Sequence, residues 1–224
     1  YVSGFSITCL GIMRILLSVI DICYTINIRY SKQEKMMTQK ENEKNKSIQA
    51  AIQADIRRTL DSLHLPEYKE IPDVGLYLEQ VTRFINTALE SFPDMSVTPS
   101  MISNYVKLKV VSRPEKKAYS RDQIVALLFV SVAKTVLSMD NIRKAFEIRR
   151  QNSDVETGYE YFRRSLEHAL TSFGKDPLPW NPEEIPQDVS EEALNVVDYT
   201  ASAIAYKMYL NLYFDAIKDP GTSK

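Results

Sequence analysis

The stretch VTPSMISNYVKLKVVSRPEKKAYSR, residues 97–121, decides the fold that we predict for this chain. Thr98 can cap a helix by accepting a backbone hydrogen bond, and Pro99 suits the first helical position, where a backbone N–H has no partner. These signals predict a short helix over residues 98–108, followed by a basic loop over residues 112–119. A short helix beside a basic loop suits the groove and the backbone of a duplex, so the stretch predicts a winged helix-turn-helix.

An amphipathic helix is predicted directly upstream of this stretch. Apolar residues recur at helical spacing over residues 74–89, Asp73 is available as a cap, and the helix ends before Pro93. A helix, a turn and a second, shorter helix form the arrangement in which the second helix enters the major groove. Residues 110–111 and 118–119 flank the basic loop, and we predict that they form the two strands of a β-wing.

Further helices are predicted downstream of the wing. Ser120 and Ser138 can each cap a helix, and another helix is indicated over residues 159–170. A proline-rich connector over residues 176–186 then leads to a last helix that Ser190 can cap. The last helix carries a nearly continuous apolar stripe with a tyrosine-rich flank. Three structures would explain it: packing on the preceding helices, a homodimer seam, or the wall of a ligand pocket.

The N-terminal segment is predicted to be a disordered or non-native extension. Its apolar part is interrupted by Arg14 and Asp21, so it lacks an uninterrupted span of about 20 apolar residues, although a membrane anchor remains an alternative. A polar run typical of a flexible segment follows, and helical periodicity begins with a cap at Ser47. The predicted domains are the extension over residues 1–46, the winged helix-turn-helix domain over residues 47–150, and a C-terminal helical region for packing or dimerisation over residues 151–224.

Composition and motifs exclude several classes of function. Hydrophobic residues make up 44% of the chain and charged residues 25%, as in ordinary globular proteins, and the formal net charge is −1. Contact with nucleic acid would therefore depend on local clusters of charge. Both cysteines lie near the N-terminus and the only histidines are His64 and His168. We therefore expect no metal site, no disulfide framework, no cofactor and a cytoplasmic location. No glycine-rich phosphate loop, zinc-protease motif or nucleophile elbow occurs, so we expect no enzyme activity.

The run over residues 97–147 resembles the DNA-binding domain of MerR-type regulators. In that family a V-S-P recognition helix precedes a wing ending in Tyr-Ser and a later S-x-[ED]-x-I-[RK] helix. The corresponding positions here are Val97, Thr98, Pro99, Ile102, Tyr105, Tyr119, Ser120, Asp122 and residues 138–143. Residues 73–146 are also similar to a bacterial domain-of-unknown-function family, number 1836, through VGLYLEQVTRFIN, MISNYVK and KKAYSRDQI. The resemblance implies a mainly α fold: a MerR-like winged helix-turn-helix with a small β-wing, followed by C-terminal helices.

The recognition helix departs from the MerR pattern. Ser100 and Ser103 stand where those proteins usually carry arginines, Asn104 replaces an aromatic residue, and Ala118 replaces a basic wing residue. The Asn104 amide can pair with adenine, and the serines can contact bases or phosphates. The basic residues would bind the DNA backbone, and the resemblance implies that Tyr119 lies near a phosphate. The predicted DNA-contacting residues are Ser100, Ser103, Asn104, Lys107, Arg113, Lys116, Lys117 and Tyr119.

Together these features predict a DNA-binding transcription regulator that recognises double-stranded DNA through the helix over residues 98–108 and the wing over residues 112–119. We expect a homodimer, because paired half-sites give specificity that one short helix lacks. A small-molecule effector would fit such a regulator, but the sequence does not identify one. The alternative is a protein–protein interaction module that keeps the winged-helix scaffold and no longer binds DNA.

Overall fold

The computed structural model describes residues 5–173, 186 and 188–217, and it divides the chain into two compact units, residues 1–53 and residues 54–224. The predicted connector around Trp180 lies outside the described residues, apart from Pro186. The described part is mainly helical, as predicted, and contains one two-stranded antiparallel sheet. Its helices are α1 (Phe5–Leu60), α2 (Leu78–Ala88), α3 (Pro99–Lys107), α4 (Arg121–Ala133), α5 (Met139–Asn152), α6 (Val155–Thr171) and α7 (Glu191–Ala216).

Helix α1 occupies most of the segment that the sequence predicts to be an extension. Ser47 therefore lies inside a helix and does not cap one, which corrects the predicted helix start. The reason is compositional: no glycine or proline occurs between Gly11 and Pro66, and residues 35–46 are rich in Lys, Glu and Gln, which favour helix. The side chains of residues 35–51 are all exposed. Among the described residues, no helix is long and apolar enough to cross a membrane.

Helix α4 lies at the centre of the unit formed by residues 54–224. Ser120 caps it by accepting a hydrogen bond from the Gln123 N–H, and the Gln123 side chain accepts one from the Ser120 N–H in return. The helix buries apolar side chains on nearly every turn, and it packs against α2, α6 and α7. A helix that is apolar all round is stable in water only when other elements cover it, so its central position follows from its composition.

Helices α6 and α7 form the most extensive helix pair of the described chain. Apolar side chains of both helices are buried in the core, among them Phe162 and Ile204. Asp198 on α7 accepts hydrogen bonds from the Tyr161 hydroxyl at 2.9 Å and the Ser165 hydroxyl at 2.7 Å. These partly buried polar contacts fix the alignment of the two helices. Intramolecular packing, the first of the three structures considered for the last helix, is therefore present.

The small sheet differs from the wing that the sequence predicts. Strand β1 (Leu76–Tyr77) pairs antiparallel with β2 (Ala118–Tyr119), with Leu76 opposite Tyr119. Residues 110–111 are not a strand, which corrects the predicted wing. Their backbone N–H groups donate to the Tyr105 carbonyl at the end of α3, and both valines are buried. Because residues 76–77 form a strand, α2 starts at Leu78, and Asp73 does not cap it.

Candidate nucleic-acid interface

Helices α2 and α3 are joined by a turn that contains a short 3₁₀ segment, Pro93–Met95. The Asn86 side chain on α2 donates to the Val97 carbonyl at 2.9 Å and accepts from the Val97 N–H at 2.8 Å. Lys134 at the end of α4 donates to the Ser96 carbonyl at 2.6 Å. Two side chains from neighbouring helices thus satisfy the backbone just before α3 and set the direction in which α3 leaves the turn.

Helix α3 has the cap and the two faces that the sequence predicts. The Thr98 hydroxyl accepts a hydrogen bond from the Met101 N–H at 3.2 Å, and Ile102 and Tyr105 are buried. The polar residues predicted to contact DNA lie on the exposed face. The Ser103 hydroxyl donates to the Pro99 carbonyl at 2.9 Å, which leaves its oxygen lone pairs free to accept. The exposed residues on this face are Ser100, Ser103, Asn104 and Lys107.

The C-terminus of α3 closes in a Schellman motif with a lysine at its left-handed position. The Val110 N–H donates to the Tyr105 carbonyl and the Lys109 N–H to the Val106 carbonyl, both at 3.0 Å. Lys109 has φ 56°, a conformation that glycine adopts without strain and that costs other residues about 1 kcal/mol or more. Val110 and Tyr105 occupy the two positions where this motif usually has an apolar pair, and both are buried.

The loop after α3 ends in a tight turn with two further left-handed lysines. Lys116 has φ 47° and Lys117 has φ 68°. The Ala118 N–H donates to the Glu115 carbonyl at 2.8 Å across them, and Glu115 and Ala118 form an isolated antiparallel bridge. Positive φ at both central residues defines a type I′ turn, which favours Asn-Gly over two lysines. The turn therefore places two exposed ammonium groups at the tip of the loop at a cost in backbone strain.

Residues 66–162 match the model of a family described as a domain of unknown function (DUF1836). This matching segment contains α2, α3, the loop that follows α3, both strands, α4, α5 and the first part of α6, and it leaves α7 outside. We found no significant match among curated proteins or among solved structures.

Within the matching segment, exposed polar and basic residues continue from α3 into the loop. We call this set the basic surface: Ser100, Ser103, Asn104, Lys107, Lys109, Arg113, Lys116 and Lys117, all of them exposed. The described residues include three non-glycine residues with positive φ, and all three are lysines of this surface. Strained backbone tends to persist where function requires it, so the pattern marks this surface as a candidate site. Lys109 is a member that the predicted set of contacts lacks.

Gln123 holds the start of the loop in place. Its side-chain amide donates to the Ser112 carbonyl at 3.1 Å, the Ser112 hydroxyl at 2.9 Å and the Arg113 carbonyl at 3.1 Å. At the other end of the loop, Ala118 pairs with Tyr77 of β1. The loop is thus anchored at both ends on rigid elements, which keeps Arg113 and the lysines of the turn at fixed positions relative to α4.

Tyr119 and Arg121 lie next to the basic surface, but both have structural contacts. Tyr119 is only 4% exposed, and burial raises the pKa of its hydroxyl, so we remove it from the predicted phosphate contacts. Arg121 donates to the Ile71 carbonyl at 2.7 Å, and its guanidinium lies over the Tyr68 ring, 5.2 Å from the centroid. The Tyr68 hydroxyl donates to Asp122 at 2.7 Å, which raises the pKa of Tyr68 to about 12. These contacts fasten the N-terminus of α4, and they hold Arg121 away from the loop.

Substitution of Lys109 by glycine tests the strain at the Schellman position. We expect Lys109→Gly to raise the free energy of unfolding by about 1 kcal/mol, because glycine adopts positive φ without a Cβ clash. Lys107→Gly is the matched control, since it removes the same charge at a helical residue and should lower stability by about 0.5–1 kcal/mol. Urea unfolding of the full chain measures both. If the free energy of unfolding changed in the same direction in both variants, the inference that Lys109 is strained would be wrong.

Proposed function

We propose that this protein is a DNA-binding transcription regulator with a MerR-like winged helix-turn-helix. The observation that carries the proposal is the basic surface, in which three lysines occupy strained left-handed positions beside the exposed polar face of α3. In this arrangement α3 lies in the major groove, and Asn104 and the serines reach base edges. Lys107, Lys109, Arg113, Lys116 and Lys117 bind phosphates, which supplies affinity without sequence preference.

The proposed regulator binds as a homodimer through α7. The face of α7 that does not pack on the core carries large apolar side chains at helical spacing, with Tyr199 72% and Phe214 55% exposed. Exposed apolar side chains along one helix face are typical of protein interaction surfaces. A second copy of the same helix is the occupant we propose, because a two-fold seam would place two α3 helices on paired half-sites. The residues of this face are Tyr199, Tyr206, Leu210, Phe214 and Ile217.

Selection from a random duplex library by the full chain tests the proposal. The selected sites are then titrated between about 50 and 200 mM salt. We expect enrichment of an inverted repeat, two chains for each duplex, and an affinity that falls steeply as salt rises, because phosphate contacts release counterions. A folded sample that enriches no site and is not retained on duplex DNA at the lowest salt concentration would contradict the proposal.

A protein–protein interaction module is the second candidate function. The observation that favours it is the exposure of apolar side chains beside the small sheet: Val74 is 67% and Tyr77 60% exposed. If a protein partner covers these side chains, the polar loop after α3 would lie at the rim of that protein–protein interface. This function predicts no salt-dependent binding to duplex DNA, and the same titration therefore separates the two candidates.

Asn104 and Lys117 are expected to affect DNA binding in different ways. Asn104→Ala should relax the base preference at one position of each half-site, at a cost of about 1–3 kcal/mol on the preferred site. Lys117→Ala should weaken binding to all sequences about equally and reduce the salt slope by about 1. Competition titrations with the selected site and a shuffled duplex measure both effects. Equal behaviour of the two variants would contradict this division of roles.

A further inference from the structure

A largely apolar cavity of about 320 Å³ lies between the loop that follows α3 and helices α4, α5, α6 and α7. The volume falls in the range of about 300–1,000 Å³ that small-molecule sites occupy. Phe129, Phe146 and Phe162 contribute an aromatic wall, with Phe129 4.8 Å from Phe162 and 5.3 Å from Phe146 between ring centroids. Val197 contributes from α7. The wall is thus suited to a ligand with an aliphatic or aromatic body.

Arg149 gives this apolar wall a partly buried positive charge. Its guanidinium donates to the Ser153 carbonyl at 3.2 Å, and among the described residues no carboxylate forms an ion pair with it. Its stem lies against Gly158, where a Cβ would come within 2.7 Å of the Arg149 Cγ, so the backbone there makes room for this side chain. Burial lowers the pKa of Arg149, but an arginine stays charged in proteins.

The other charged residues of the cavity wall have partners elsewhere. Asp122 accepts the hydrogen bond of Tyr68, and Arg150 pairs with Glu147 at 3.9 Å. Arg149 is therefore the positively charged residue of the described wall that forms no ion pair, and the charges of Asp122 and Asp154 act on it only from beyond ion-pair distance. A guanidinium matches the two oxygens of a carboxylate, and exclusion of water strengthens that contact.

We infer that the cavity binds a small organic acid, with an apolar body against the phenylalanines and its carboxylate on Arg149. Ser112 and Gln123 also line the cavity, and Gln123 holds the start of the basic loop through Ser112 and Arg113. A bound acid that moves Gln123 would shift this loop and so change DNA affinity. That second effect rests on the proposed function, whereas binding of the acid does not.

Calorimetric titration of the full chain with octanoate, and with octan-1-ol as its uncharged match, tests the site. We expect one saturable octanoate site, and we expect Arg149→Gln to weaken octanoate binding at least tenfold while leaving octan-1-ol binding unchanged. Lys144→Gln, an equal loss of charge at an exposed residue of the same helix, should change neither. Absence of saturable octanoate binding by the folded native chain would overturn the inference, as would equal octanoate affinity of the native and Arg149→Gln proteins.

A second variant covers the case in which Arg149→Gln does not fold. Val197→Phe fills part of the cavity from α7, and we expect it to abolish binding of both octanoate and octan-1-ol. Undiminished octanoate binding by this variant would place the ligand elsewhere and overturn the inference. Because these titrations contain no DNA, their failure is distinguishable from a failure of the proposed function, which the duplex library tests.

Discussion

Replacing the two lysines of the type I′ turn by the pair that such turns prefer is expected to stabilise the protein and to weaken its binding to DNA. Lys116→Asn/Lys117→Gly relieves positive φ at both positions and should raise the free energy of unfolding by about 1–2 kcal/mol. The same change removes two phosphate contacts from each protomer. The slope of log affinity against log salt should then become less steep by about 1.8 per protomer, which is about a 60-fold loss for each bound protomer at 0.1 M salt if the curves meet near 1 M.

Urea unfolding and fluorescence anisotropy on a selected duplex measure the two effects. The matched control is Lys69→Gln/Lys144→Gln, which removes two charges at exposed positions outside the basic surface. We expect the control to leave the salt slope within about 0.5 of the native value, because only a charge at a phosphate releases a counterion from it. If the control variant bound DNA as weakly as the turn variant, net charge, and not this turn, would attract the DNA.

If the strained turn is kept for DNA binding, relieving the strain should raise stability and lower DNA affinity together. Left-handed lysines at a turn are a cost that a purely structural loop has no reason to keep, since Asn-Gly would form the same turn with less strain. If the turn variant is more stable and binds DNA equally well, the strain has no role in binding. The basic surface would then lose its main support as a DNA contact.

Local signals in the sequence predict the helix starts well. Thr98, Ser120, Ser138 and Ser190 each accept the backbone hydrogen bond expected of a cap, because capping depends on residues within one turn. The exposed and buried faces of α3 also follow from spacing alone. Ser47 and Asp73 are the exceptions. The neighbours of Ser47 on both sides favour helix as strongly as the residues it was expected to cap, and residues 76–77 form a strand between Asp73 and the start of α2.

The small sheet could not be predicted in the same way, because the pairing of its strands depends on tertiary structure. Residues 110–111 have the composition of a strand, but the end of α3 binds their N–H groups, and β2 pairs instead with Leu76–Tyr77. A strand of two residues, 41 positions away from its partner in the pair Tyr77–Ala118, leaves almost no periodic signal. The burial of Tyr119 and the exposed position of Lys109 follow from this pairing and from the Schellman motif, and neither is visible in hydrophobic spacing.

The cavity is a second feature that no local pattern reveals. Its wall combines residues of four helices and the loop after α3, and Arg149 stands in the sequence as one of two adjacent arginines at a helix end. That position suggests an exposed residue that complements the helix dipole. Only the packing of α5 against α6 and α7 makes it a partly buried charge. The sequence alone allows three structures for α7: packing, a dimer seam or a pocket wall. In the structure α7 contributes residues to the core, to an exposed apolar face and to the cavity wall.

Asn86→Ala is expected to be the most destabilising polar substitution in α2, α3 and the turn between them. The Asn86 side chain satisfies both the N–H and the carbonyl of Val97, at 2.8 and 2.9 Å, and Val97 itself is buried. Alanine leaves these backbone groups unpaired, and each buried unsatisfied group costs about 1–3 kcal/mol. We expect a loss of about 3 kcal/mol in the free energy of unfolding, measured by urea denaturation of the full chain.

We expect Asn86→Ala to loosen the position of α3 as well as to lower the free energy of unfolding. Without the Asn86 bridge the turn before Thr98 loses its link to α2, so amides of α3 should exchange hydrogen faster than in the native protein, and binding to selected DNA should weaken beyond the loss of folded protein. Thr87→Ala, at the adjacent exposed residue, should change stability by less than about 0.5 kcal/mol. Equal stability of the Asn86 and Thr87 variants would show that water replaces the Asn86 contacts. The direction of α3 would then depend on the packing of Ile102 and Tyr105 and on the hydrogen bond from Lys134.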